Sequence, residues 1–113
     1  MDEQKNRRLV PRYLCELSGH LLNPDTGATI RVTLTILSVS GTCLQGSALP
    51  DTGQTCEVQS EWDGQQLDLS GCVVWKTKEL AGVKFSSVDQ EMEKLLRRIC
   101  RNLRLQPAGP LTF

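Results

Sequence analysis

Four cations crowd the stretch Lys5-Asn6-Arg7-Arg8-Leu9-Val10-Pro11-Arg12, in a chain of 113 residues whose formal charge is zero. Arg8 and Arg12 stand four positions apart, with Arg7 beside the first of them. Pro11 fixes its own φ and biases Val10 away from helical backbone, so the two arginines project from an extended or turned segment rather than from one helix face. Each guanidinium is a planar fork of donors, suited to phosphate oxygens and to the O6/N7 edge of guanine. Two or three such forks on an arm can close around a small, doubly anionic, guanine-bearing molecule. Read alone, the arm is more simply a solvated basic leader.

No other residue set competes for chemistry. His20 is the single histidine and lies in a strand-like segment with no nucleophile motif around it. G-x-S-x-G, the P-loop and H-E-x-x-H are all absent. Asp63 belongs to a turn and Asp68 to the outward face of a strand, so they make no acid pair. The chain therefore reads as a binding module and not as an enzyme. Its five cysteines, Cys15, Cys43, Cys56, Cys72 and Cys100, are scattered singly. With no C-x-x-C among them, reduced and mostly buried thiols are expected, with no metal and no cofactor.

Thirteen basic residues balance thirteen acidic ones, and there are two Trp, one Tyr and two Phe. That balance argues against nucleic acid as the partner, and the shortage of aromatics against a base-stacking platform for single strands. No apolar stretch follows the polar start Met1-Asp2-Glu3-Gln4, and no run approaches a membrane span. The expected location is the cytoplasm, with no membrane insertion.

Elements that could position the arm follow directly behind it. Tyr13 to Leu22 has strand character, and Asn23-Pro24-Asp25-Thr26-Gly27 turns the chain. In Ile30-Arg31-Val32-Thr33-Leu34-Thr35-Ile36 the alternation predicts a half-buried strand, with Ile30, Val32, Leu34 and Ile36 on one face. Thr42-Cys43-Leu44 begins a short strand, and Leu49 to Gly53 turns again. Cys56 to Trp62 alternates up to Asp63-Gly64, a hairpin dipeptide. Leu67, Leu69, Gly71, Val73 and Trp75 mark the core face of the returning strand, and Gly82 to Phe85 forms a last one. The period then becomes helical: Val88, Met92, Leu95, Leu96, Ile99 and Leu103 form one stripe. Ser87 and Gln90 have capping-box spacing. The acids at the start and Arg97, Arg98, Arg101 and Arg104 at the end complement the helix dipole. The expected fold is mainly β: a small six-stranded antiparallel β-barrel with a C-terminal α-helix. Its divisions are a basic arm (1–12), a barrel (13–86), a helix (87–104) and a tail (105–113).

R-x-x-x-R directly before a first strand resembles the opening of a PilZ domain, and the resemblance continues in order. Leu37-Ser38-Val39-Ser40-Gly41 looks like the second motif, [D/N]-x-S-x-x-G. Gly71-Cys72-Val73-Val74-Trp75 is similar to the G-x-V-V strand, and Gly82-Val83-Lys84-Phe85 to the G-[VI]-[RK]-F strand. Together these cover about residues 6 to 103. The resemblance implies a split barrel that receives the bacterial second messenger cyclic di-GMP and relays it to a downstream protein partner. Carried over by position, Arg8 and Arg12 match the arm, Arg7 is an adjacent helper, and Ser38 and Gly41 match the second motif. A monomer or weak dimer is expected. One position departs: the Asp or Asn of the second motif falls on Ile36, in phase with Ile30, Val32 and Leu34. That departure leaves a second reading, a PilZ interaction module that does not bind nucleotide.

Overall fold

The computed structural model describes residues 10–105. Arg7, Arg8 and most of the expected tail lie outside that range. Among the described residues, seven strands and one helix follow in chain order: β1 (Tyr13–Leu22), β2 (Thr29–Leu37), β3 (Gly41–Gln45), β4 (Thr55–Trp62), β5 (Gln65–Lys76), β6 (Leu80–Ser87), α1 (Gln90–Arg101) and β7 (Arg104–Leu105). The first six run in the order β2-β3-β6-β5-β4-β1, and the β1–β2 pairing closes them into an antiparallel barrel. Closure depends on the second half of β1, where Gly19 to Leu22 pair with β2 on one side and β4 on the other. Gly19 is required at this seam, because a Cβ there would collide with the carbonyl oxygen of Gln59 on β4.

Hydrophobic alternation builds the barrel as the sequence indicates. Leu34, Leu44, Val58, Leu67 and Val83 point inward and are fully buried. Asp63 and Gly64 take φ of 51° and 78°, the left-handed pair that suits a two-residue hairpin between β4 and β5. The helix closes one mouth of the barrel: Leu95, Leu96, Ile99 and Cys100 face the core, and the Cys100 thiol lies 3.9 Å from the carbonyl oxygen of Leu37.

Four expectations are corrected. The N-cap of α1 is Asp89, whose carboxylate accepts from the Met92 amide at 2.8 Å, so the Ser87–Gln90 capping box does not form. Ser87 is instead the last residue of β6, where it pairs with Ser70. The helix ends at Arg101, and Arg104 and Leu105 form β7, pairing with Leu14 and Tyr13. The other two corrections concern which way side chains point. Thr35 is an extra residue in β2 against β3, since Leu34 pairs with Leu44 and Ile36 with Cys43. This bulge moves Leu37 to the inner face and turns Ile36 outward. A second bulge, at Val74, does the same to Trp75, which pairs with Gly82 and stands outside the main core cluster.

All five cysteines are free thiols, with Cys43, Cys56 and Cys100 buried. Burial pushes Cys15 up from the ordinary 9.0 to about 12, with Cys100 and Cys43 nearby adding to the effect. Burial likewise raises Cys56 and Cys100 to about 11. The folded chain therefore favours the neutral thiol. That contribution is whole below about pH 9 and is lost as pH climbs through the folded-state values. Thermal melts from about pH 8 upward are expected to show a melting temperature that falls above about pH 9. A flat profile to about pH 11 contradicts this account of the thiols.

Candidate functional site

The root of the arm (residues 10–12), the second motif and the helix meet at one end of the barrel. Tyr13, where the arm joins β1, pairs with Leu37 at the end of β2 and with Leu105 of β7. Just before it, Arg12 is 5% exposed and partnered. Just after Leu37 comes the Ser38–Gly41 turn. A cleft of about 270 Å³ lies among these pieces, lined by Val10 and Pro11 of the arm, Tyr13, Val39 of the turn, and Arg97, Cys100 and Arg101 of α1.

Ser38 organises the turn. Its side chain is fully buried, and its Oγ accepts from the amides of Ser40 at 3.0 Å and Gly41 at 3.1 Å. The Ser38 amide in turn donates to the Gly41 carbonyl at 3.0 Å, and the Phe85 amide donates to that of Ser40 at 2.8 Å, tying the turn to β6. The half-buried hydroxyl of Ser40, 3.2 Å from Ser38 Oγ, is the outer one of the pair. Gly41 is buried and opens β3 opposite Lys84. Thus Ser38 and Gly41 fix the loop's shape, while Val39 and Ser40 are what it presents.

The two bulges create a feature that sequence alternation hides. Cross-strand partners share a face, and the pairings Leu14–Ile36, Ile36–Cys43, Cys43–Gly82 and Gly82–Trp75 form one continuous row on the outer wall. Ile36 is 8% and Cys43 1% exposed, while Leu14 at one end is 39% exposed. The Trp75 indole lies over Gly82, where any Cβ would strike Nε1. Among the described residues, Trp75 Nε1 is a buried side-chain donor without a hydrogen-bond partner. An aromatic ring over glycine, flanked by aliphatic side chains, makes a flat apolar strip beside the second-motif position.

His20 sits elsewhere. It pairs with Arg31 and Gln59 and lines a polar groove of about 340 Å³ on the wall formed by β1, β2 and β4, which Arg31 and Glu61 also line. Among the described residues no group of three or more His, Cys, Asp or Glu could hold a metal ion. No described helix is long and apolar enough to cross a membrane.

Sequence reasoning placed Arg97 and Arg101 on a solvated helix face, whereas both line the cleft. The four-residue spacing of the two helix arginines was a usable signal, because it places them on one face. Dipole compensation explained the same charges and concealed it.

The family model described as PilZ domain matches residues 6–102. No curated protein matches the chain. Several solved structures share the fold, three of them as follows. The PilZ domain with c-di-GMP of YcgR from Escherichia coli aligns with a TM-score of 0.73 at 17% identity, over 86% of this chain and 91% of that one. The PilZ domain of CeSA from a cellulose-synthesizing bacterium aligns at 0.68 and 15% identity, over 80% and 95%. Bacillus subtilis inhibitor of motility, MotI/DgrA, aligns at 0.70 and 15% identity, over 85% of this chain and 50% of that one.

Proposed function

The chain belongs to the PilZ domain family, and on that premise we propose that it is a cytoplasmic receptor domain for cyclic di-GMP. One observation carries the reading: the root of the arginine arm and the Ser38–Gly41 turn flank the same barrel mouth. A similar fold is known with this nucleotide in the YcgR domain. In the proposed site Arg7, Arg8 and Arg12 bring the charge that meets the phosphates and guanine edges. Ser38 and Gly41 hold the turn against which the ligand rests. Half-buried Trp75 offers an aromatic surface on which a purine can stack, an interaction worth about 1–3 kcal/mol per base. Ligand binding then draws the arm onto the barrel and changes the surface offered to a protein partner.

Titration calorimetry with cyclic di-GMP tests this directly. Intrinsic fluorescence supplies a second expected result. Trp75 borders the site, whereas Trp62 lies at the β4–β5 hairpin. Saturating nucleotide should change the emission of the wild type and of Trp62→Phe, and leave that of Trp75→Phe unchanged. Heat-silent titration with constant emission excludes the receptor reading.

The buried apolar Ile36 favours a second reading, an interaction module that works without nucleotide. It requires partner capture to be equal with and without cyclic di-GMP. Capture that depends on the nucleotide rejects it.

A further inference from the structure

The barrel closes along only part of β1, and a groove opens where closure stops. The last β1–β4 pair is Gly19 with Ser60. Before it, the stretch Cys15 to Ser18 has no strand on its β4 side, until β7 takes Leu14 and Tyr13. Beyond it, Glu61 and Trp62 of β4 pair with β5 alone. The two free edges part at one bond, in which Ser60 Oγ donates to the Ser18 carbonyl at 2.7 Å. At this fork lies the polar groove of about 340 Å³, with Ser18 and His20 on one side and Glu61 and Gln66 on the other. A second hollow of about 220 Å³ adjoins it through Gln59 and adds Glu57 and Asp68. Arg31, His20, Gln59 and Asp68 form one exposed cross-strand row over this wall. The hollows therefore set three carboxylates, Glu57, Glu61 and Asp68, against one guanidinium, Arg31. Among the described residues none of these four groups is in an ion pair. A chain of zero net charge thus carries a local acidic excess beside an open strand edge.

We propose that this fork is a docking site for a protein partner, which adds an extended segment to the free edge of β1 and lays arginine or lysine side chains on the acidic wall. An unpaired edge is a template for another strand. A peptide that joins it gains main-chain hydrogen bonds and turns alternate side chains onto the sheet face. Here that face is the acidic row, so cations at alternate positions complement it. Cys15 to Ser18 offers about 13 Å of edge at about 3.3 Å per residue, room for about four residues of extended chain. The site is separate from the nucleotide reading and does not depend on it. The closed strand order sets β1 across the barrel from β6 and β4 across from β3, so the groove and the Ile36–Trp75 strip look outward in opposite directions. One strand nevertheless joins the two places. Tyr13 of β1 stands at the root of the arm and Ser18 of β1 in the groove. A partner seated in the fork holds the strand from which the arm springs.

The test is a heteronuclear NMR titration of the full chain, without nucleotide. The probe is a short acetylated and amidated peptide of alternating arginine and threonine. Saturable shifts are expected at Ser18, His20, Gln59 and Glu61, with amide exchange slowed within Cys15–Ser18. The fully N-methylated peptide keeps its charge but cannot pair as a strand, and should bind about tenfold more weakly or worse. Glu61→Arg should weaken the unmethylated peptide about tenfold, since it turns an attraction into a repulsion. Glu79→Arg reverses an exposed acid in the β5–β6 turn, away from the groove, and should bind as wild type does. Thermal melts check that both variants are folded. Absence of binding, or shifts centred away from the fork, overturns the docking site. Equal affinity of the methylated peptide overturns it too, since charge alone then attracts the probe. Equal losses in Glu61→Arg and Glu79→Arg do the same, because a general field explains both. Shifts at these residues that grow with protein concentration alone assign the fork to a second copy of the chain and reject the partner. Each of these results leaves the receptor reading standing, because no nucleotide is present.

Discussion

Replacing Arg8 and Arg12 together by alanine is expected to lower cyclic di-GMP affinity by about two to four decades. The magnitude comes from two hydrogen bonds to charged groups at about 1.5–3 kcal/mol each, with about 1.4 kcal/mol per decade. The two positions should separate in their side effects. Arg12 is buried at the root of the arm and partnered, so its truncation also removes packing along the stem and lowers the melting temperature. Arg8→Ala should cost affinity with the melting curve unchanged. Arg8→Lys should remain well below wild type, because an ammonium cannot offer the planar fork that matches a phosphate or a guanine edge. Calorimetry at fixed salt gives the affinities and circular dichroism the melts. Undiminished affinity in the double variant would falsify the assignment of the arm to the ligand, whatever else the barrel does.

How much of this was legible beforehand follows from which interactions are local. Strand alternation and the Asp63-Gly64 turn are properties of neighbouring residues, and both led to the barrel. The helix start failed narrowly. Ser87 has the right chemistry for an N-cap, but β6 pairs it with Ser70, and Asp89 takes the role two residues later. The short β7 strand was hidden because Arg104 and Leu105 continue a basic, helix-compatible pattern, and only the root of the arm supplies their partner. Facing direction at Ile36 and Trp75 was illegible for a sharper reason. A bulge is a mismatch between two strands, so neither strand's own sequence displays it. At the site the same division holds. The arm could be read from composition and spacing, while the helix arginines needed the cleft to distinguish Arg97 and Arg101 from Arg98.

Ile36 is where that correction changes an expectation. Strict alternation placed its side chain in the core, where a polar substitute would leave an unpaired amide in an apolar interior. The Thr35 bulge instead puts it on the outer wall, opposite Cys43 and exposed Leu14, next to the turn that carries Ser38. Outward placement keeps the position within reach of a ligand on that wall, even though isoleucine offers no hydrogen bond. Ile36→Asn is therefore expected to tighten cyclic di-GMP binding by about one to two decades, the value of one added hydrogen bond to a charged or strongly polar group. The same change removes a largely buried side chain at 8% exposure, so stability should fall by about 1.5–3 kcal/mol. Binding and stability thus move in opposite directions, which no general improvement or damage to the fold would produce. Leu14→Asn is the matched control, on the same row but one strand further from the turn, and it should leave affinity unchanged. If Ile36→Asn loses stability without gaining affinity while the arm variants still lose binding, the ligand sits on the arm and does not reach the wall at β2. If Ile36→Asn and Leu14→Asn gain equally, the row acts through a general change in polarity and the second-motif position has no special contact.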